Sequence, residues 1–129
     1  MTDSSLISDR AATCTAFVLA GGGSLGAVEI GMLQALIDWG EVPSFIVGAS
    51  AGAINAAYFA ADPTRAGAEQ LERIWCALRR ADIFPLNLRS VLGLLHRRDY
   101  LVDSRALRHL LERHLPYRYL EEAALPVHI

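Results

Sequence analysis

The chain has 129 residues, about the size of one modest domain, and 53% of them are hydrophobic, with a mean hydropathy of +0.28. This composition excludes a disordered chain, a coiled coil and a collagen-like fibre. The formal charge of −2 is nearly balanced and argues against nucleic acid as a partner.

Residues 1–14 form a polar leader without a basic stretch, and the apolar run that follows is too short for the core of a signal peptide. Residues 43–61 carry no charge, but proline and glycine interrupt them, which favours a strand, a turn and a helix over a membrane span. We therefore expect a cytoplasmic chain with no signal peptide and no transmembrane segment. Cys14 and Cys76 lack metal-ligand spacing and are expected to be buried thiols.

The first structured elements alternate between strand and helix. Residues 16–20 predict a buried strand, and a helix with Gly40 as its C-terminal cap follows. A strand at 44–47 and a helix at 51–60 come next, which together predict a parallel sheet. The helical spacing places these residues of the first helix on the core face: Val28, Met32, Leu36 and Trp39, flanked by Ile30, Leu33 and Ile37.

The second half of the chain predicts mostly helices. They cover residues 66–79, residues 87–96 and a segment that Asp103 caps and Pro116 ends. Residues 125–129 have the pattern of the opening of another strand.

A glycine-rich loop, residues 21–26, lies between the first strand and the first helix. Its Gly21, Gly22, Gly23, Ser24 and Gly26 can bring bare N–H groups close to an anion at a helix N-terminus. A dinucleotide site would need an acid at the end of the second strand, and a Walker loop would need lysine, which the chain lacks. A purely structural tight turn is the remaining alternative.

A second motif, Gly48-Ala49-Ser50-Ala51-Gly52, follows the second strand directly. In a nucleophile elbow the serine occupies a strained strand-to-helix turn, and small residues two positions away let strand and helix pass closely. Because neighbouring parallel strands end at the same sheet edge, Ser50 and the 21–26 loop should meet there. A nucleophile beside preorganised N–H donors is what acyl transfer requires.

This pairing resembles the patatin-like phospholipase family from residue 16 to about residue 62, where both motifs and their separation match. The resemblance implies a three-layer α/β/α fold with a mostly parallel sheet, of which residues 15–129 are the N-terminal part. It also implies that Ser50 is the nucleophile, that the 21–26 loop is the oxyanion hole, and that the substrate is a lipid or other carboxylic ester. The chemistry requires no cofactor and no metal.

The chain departs from the family pattern at two places. Leu25 stands where many members carry a cation, and no Asp-Gly dipeptide, which holds the family's catalytic aspartate, occurs in the 129 residues. We expect that aspartate beyond Ile129. A local substitute would have to draw on Asp99 or Asp103 with His109 or His114, but both histidines are expected on a solvated helix face.

An arginine-rich stretch suggests a second kind of function. Residues 79–118 carry nine arginines and four carboxylates, interleaved with leucines, whereas residues 1–78 carry three arginines and eight carboxylates. Such a stretch could rest on an anionic lipid surface, or its arginines could simply face water. The alternative to an enzyme is therefore a noncatalytic remnant that binds lipid or a membrane surface; a Rossmann-like nucleotide-binding domain is a more distant one.

Overall fold

The computed structural model describes residues 14–78 and 104–129, with only the backbone of residues 104–107. The strands and helices, in chain order, are β1 (Ala16–Leu19), α1 (Gly26–Asp38), β2 (Phe45–Gly48), α2 (Ala51–Ala61), α3 (Arg65–Ala77), α4 (Ser104–His114) and β3 (Val127–His128). Short 3-10 turns occupy Gly23–Leu25 and Leu120–Glu122. The predicted helix at 87–96 and the predicted cap Asp103 lie outside the described residues.

The three strands form one parallel sheet in the order β1-β2-β3. Phe17 of β1 pairs with Ile46 of β2, which in turn pairs with Val127 of β3. The predicted parallel sheet is therefore confirmed.

One face of this sheet carries the core. Phe17, Leu19 and Ile46 from the strands pack with Leu33 of α1 and Phe59 of α2. The helices that follow β1 and β2 thus cover the same side, as right-handed crossovers between sequential strands require. A second cluster holds α3 against these helices and consists of Ile30, Tyr58, Leu71 and Ile74.

The opposite sheet face is largely open to solvent. Val18 is 71% exposed and His128 is exposed, while Phe45 and Val47 are half-buried. The rings of Phe45 and His128 meet edge to face, with centroids 5.8 Å apart. The α/β class is confirmed, because helices cover the core face of a parallel sheet.

The predicted core face of α1 is wrong at three of its four positions, since only Leu36 packs against the core. Val28 and Met32 are exposed and Trp39 is 80% exposed, whereas Ile30 and Leu33 are buried. Apolar residues surround most of this helix, so spacing alone could not select its inner side. Contacts with β1, α2 and α3 make that selection, and they favour the Ile30–Leu33 side.

The cysteine prediction is also wrong, because both thiols are free and exposed. Cys76 lies on the outer side of α3, away from the buried Leu71 and Ile74. No helix of the described ranges has the length and apolar character to span a membrane.

Candidate active site

The turn between β2 and α2 holds Ser50 in an uncommon backbone conformation. Its φ is 53° and its ψ is −119°, and among the non-glycine residues that the structure describes it alone has a positive φ. The turn is closed by hydrogen bonds from the Gly52 N–H to the Ala49 carbonyl (2.9 Å) and from the Ala53 N–H to the Ser50 carbonyl (3.0 Å). Such strain costs about 1–3 kcal/mol and persists only where the surrounding structure imposes it.

Glycine is required on both sides of this turn because backbones approach closely. A methyl group at Gly48 would overlap the Gly52 carbonyl and lie 2.6 Å from the Ala53 Cα. A methyl group at Gly52 would overlap the end of β1, at 2.6 Å from the Ala20 oxygen. The two glycines thus let α2 start directly above the strand ends, with Ser50 exposed at their edge.

The 21–26 loop turns sharply into α1. Gly23 has φ +60°, the Leu25 N–H donates to the Gly22 carbonyl at 3.1 Å, and the 3-10 turn leads without a break into the helix. The first N–H groups of a helix have no intrahelical acceptor. The N–H groups of Gly22 and Gly23 are therefore at a site suited to an anion.

The structure brings the loop and the serine together. The Ala49 N–H donates to the Leu19 carbonyl at 3.0 Å, which locks the ends of β1 and β2 side by side. A methyl group at Gly21 would lie 3.0 Å from the Ser50 Cβ and 3.7 Å from its Oγ. The positive ends of two helix dipoles, those of α1 and α2, therefore flank the serine hydroxyl.

One buried polar residue beside this site was missed in the sequence. Asn55, on α2, is fully buried and bonds to residues of both α1 and α3. An amide within an otherwise apolar helix was the available signal, because a buried amide needs partners to offset its desolvation.

The carboxylate that α2 itself offers, that of Asp62, lies far from Ser50. Asp62 caps the far end of the 11-residue α2 and accepts a hydrogen bond from the Thr64 hydroxyl (2.7 Å); that end is about 16 Å from the serine. His109 and His114 are exposed, as predicted, and the His114 ring lies against Tyr58. Asp99 and Asp103 lie outside the described residues.

A small cavity of about 160 Å³ also lies towards the far end of α2, lined by Tyr58, Leu71 and His114 among others. Tyr58 donates from its hydroxyl to the Leu110 carbonyl at 3.0 Å, which ties α4 to α2. Burial, aided by the nearby Tyr117, raises the pKa of Tyr58 to about 12. Tyr58 therefore remains a protonated donor at neutral pH and has a structural role.

Comparison with known proteins agrees with this architecture. A 42-residue stretch is 55% identical to the triacylglycerol lipase ptl3 of Schizosaccharomyces pombe and covers 33% of this chain but only 9% of that lipase. The family model of patatin-like phospholipases matches residues 17–127, which include the 21–26 loop, Ser50, the whole of β2 and parts of β1 and β3. The chain belongs to the patatin-like phospholipase family.

Proposed function

We propose that this chain is the N-terminal part of a serine hydrolase that cleaves acyl esters of lipids. Family membership and the lipase relative support lipid hydrolysis in general. The observation that carries the specific proposal is Ser50, held at φ 53° beside the 21–26 loop, where its hydroxyl is accessible. A strained, exposed serine at a helix N-terminus is the arrangement that a nucleophile elbow provides.

In the proposed reaction the Ser50 Oγ attacks the ester carbonyl carbon and its proton passes to a general base. The N–H groups of Gly22 and Gly23 hold the oxyanion of the tetrahedral intermediate, where donors act far more strongly than in water. The intermediate expels the alcohol, which takes up the proton, and leaves an acyl-serine. Water then attacks this ester and releases the carboxylic acid and the free serine.

The general base is proposed to be an aspartate in an Asp-Gly motif beyond Ile129, forming a Ser–Asp dyad. The Asp62 carboxylate is at the wrong end of α2, and no Asp-Gly dipeptide occurs in residues 1–129. A lone serine hydroxyl reacts slowly near pH 7 because little of it is ionised. A chain restricted to these 129 residues should therefore hydrolyse esters only slowly.

A noncatalytic lipid-binding role is the competing proposal, in which the site keeps its shape but has no general base. One experiment distinguishes the serine-hydrolase proposal from the noncatalytic one. A fluorophosphonate probe should label the full-length protein at Ser50, and Ser50→Ala should abolish both labelling and ester hydrolysis. Ser44→Ala, at another exposed serine, is the matched control and should label normally. Equal labelling of Ser50→Ala would exclude the serine-hydrolase proposal.

A further inference from the structure

Asn55 is a buried polar residue that the proposed reaction leaves unused. It has 0% exposure and lies on α2 five residues after Ser50. Burying an amide is unfavourable unless its donors and its acceptor are paired. An alanine or a leucine could occupy the same core position without needing hydrogen-bond partners. The presence of an amide at this position therefore needs an explanation.

Both N–H donors of Asn55 and its carbonyl oxygen form hydrogen bonds to two other helices. Its Nδ2 donates to the Gly26 carbonyl at 2.8 Å and to the Glu29 carboxylate at 2.9 Å, both on α1. Its Oδ1 accepts from the Trp75 indole N–H of α3 at 2.8 Å. Since an indole only donates and a carbonyl or carboxylate only accepts, this chemistry permits one orientation of the amide.

The bond to Gly26 connects the two halves of the candidate site. Gly26 ends the 21–26 loop and begins α1, while Asn55 shares α2 with the elbow. The helix ends meet there through small groups, since a methyl at Gly26 would lie 3.1 Å from the Ala51 Cβ and 3.1 Å from the Trp75 ring. The hydrogen bonds from Asn55 to Gly26 and Glu29 add a directional restraint on the height of α1 against α2 at this end of the helices.

We propose that Asn55, oriented by Trp75, is a positioning residue that holds the 21–26 loop at the correct distance from Ser50. This inference rests on the proposed function, because the distance matters only if the loop stabilises an oxyanion. Oxyanion donors act at about 2.7–3.1 Å from the charge that develops, and an error of about 1 Å can cost a hundredfold in rate.

Two variants of the full-length protein test the proposal. Trp75→Phe removes the N–H that orients the amide. Asn55→Leu/Trp75→Phe replaces the pair by apolar groups of similar size and so leaves neither side chain with an unpaired buried polar atom. The second variant should fold even if the first is destabilised, because removing both partners of the Asn55–Trp75 bond can be nearly neutral and the half-buried Glu29 carboxylate, which loses a donor, can bind water instead.

The matched control is Gln34→Ala. Gln34 of α1 donates to Glu72 of α3 at 2.9 Å on an exposed surface, so this variant also breaks a bond between α1 and α3, but one away from the loop. Its kinetics should equal those of the unmodified protein.

Hydrolysis of a soluble p-nitrophenyl ester should show kcat lowered by about 10-fold to 100-fold in both test variants, with KM changed less than about twofold. The rate of fluorophosphonate labelling should fall in parallel, because its phosphoryl oxygen uses the same donors. A merely structural role would lower the melting temperature or the number of active sites and leave kcat per labelled site unchanged. That result, or an unchanged kcat in the double variant, would overturn the proposal.

The same experiment separates this proposal from the one on which it depends. Hydrolysis that survives in Ser50→Ala would overturn the serine mechanism, and the positioning role with it. An inactive Ser50→Ala together with full kcat in both test variants would overturn the positioning role alone.

Discussion

Gly26 and Ala51, the first residues of α1 and α2, lie side by side: a methyl group added at Gly26 would lie 3.1 Å from the Ala51 Cβ. Two helix N-termini therefore meet beside Ser50. Each helix end carries about half a positive charge. Their convergence favours negative charge where the tetrahedral oxyanion of an acyl transfer would form.

The backbone strain at Ser50 should be measurable as a difference in unfolding free energy between two variants. Ser50→Gly should raise the free energy of unfolding by about 1–3 kcal/mol relative to Ser50→Ala, because glycine adopts φ 53° readily and alanine does not. Urea unfolding of the two variants checks this difference. Both variants should be inactive, so the comparison isolates the backbone from the chemistry. Equal stability would mean that the elbow stores no strain.

The elbow and the 21–26 loop could be predicted because each depends on local sequence, namely small residues at fixed spacing after a buried strand. The inner face of α1 could not be predicted, since Val28 and Ile30 are equally apolar and only packing against α2 and α3 distinguishes them. Asn55 was likewise invisible as a link, because its partners lie 20 to 29 residues away in sequence. The contacts between different helices and strands therefore could not be predicted from the sequence.

A substitution in the 21–26 loop should lower kcat rather than raise KM. Gly23→Val forces a branched side chain into φ +60° and displaces the N–H donors, so kcat should fall by about 10²–10³ with KM little affected. Steady-state kinetics of the full-length protein check this. Gly31→Val is the matched control, because Gly31 is exposed on α1 with open space around it, and it should retain kcat. A raised KM with normal kcat would make the loop a ground-state binding element.

Alkaline pH should weaken the attachment of α4. The pKa of Tyr58 is raised from 10 to about 12 in the folded chain, so the folded state favours the protonated phenol. Its contribution to stability is complete below pH 10 and is lost as the pH rises through 12. Tyr58→Phe should cost about 0.5–1.5 kcal/mol at pH 8, from the lost bond to the Leu110 carbonyl, and should show a shallower decline above pH 10.

Urea unfolding at a series of pH values measures that decline. A residual slope should persist in Tyr58→Phe, because burial also raises the pKa of Tyr117. Tyr119→Phe, at an exposed tyrosine, is the control and should keep the full slope. An identical slope in Tyr58→Phe would contradict the assigned role.

The open sheet face should bind a hydrophobic dye. Val18 is 71% exposed on the side opposite the core, with the half-buried Phe45 and Val47 beside it. Exposed contiguous apolar surface of this kind attracts apolar partners. The 129-residue chain should therefore enhance the fluorescence of an anilinonaphthalene dye, and Val18→Glu should reduce the enhancement without lowering the melting temperature.

Val42→Glu, at a valine of similar exposure outside the sheet, is the control and should reduce the dye fluorescence less. If Val18→Glu instead destabilised the chain by several kcal/mol, a charge would have been buried there, and the face would be covered in solution.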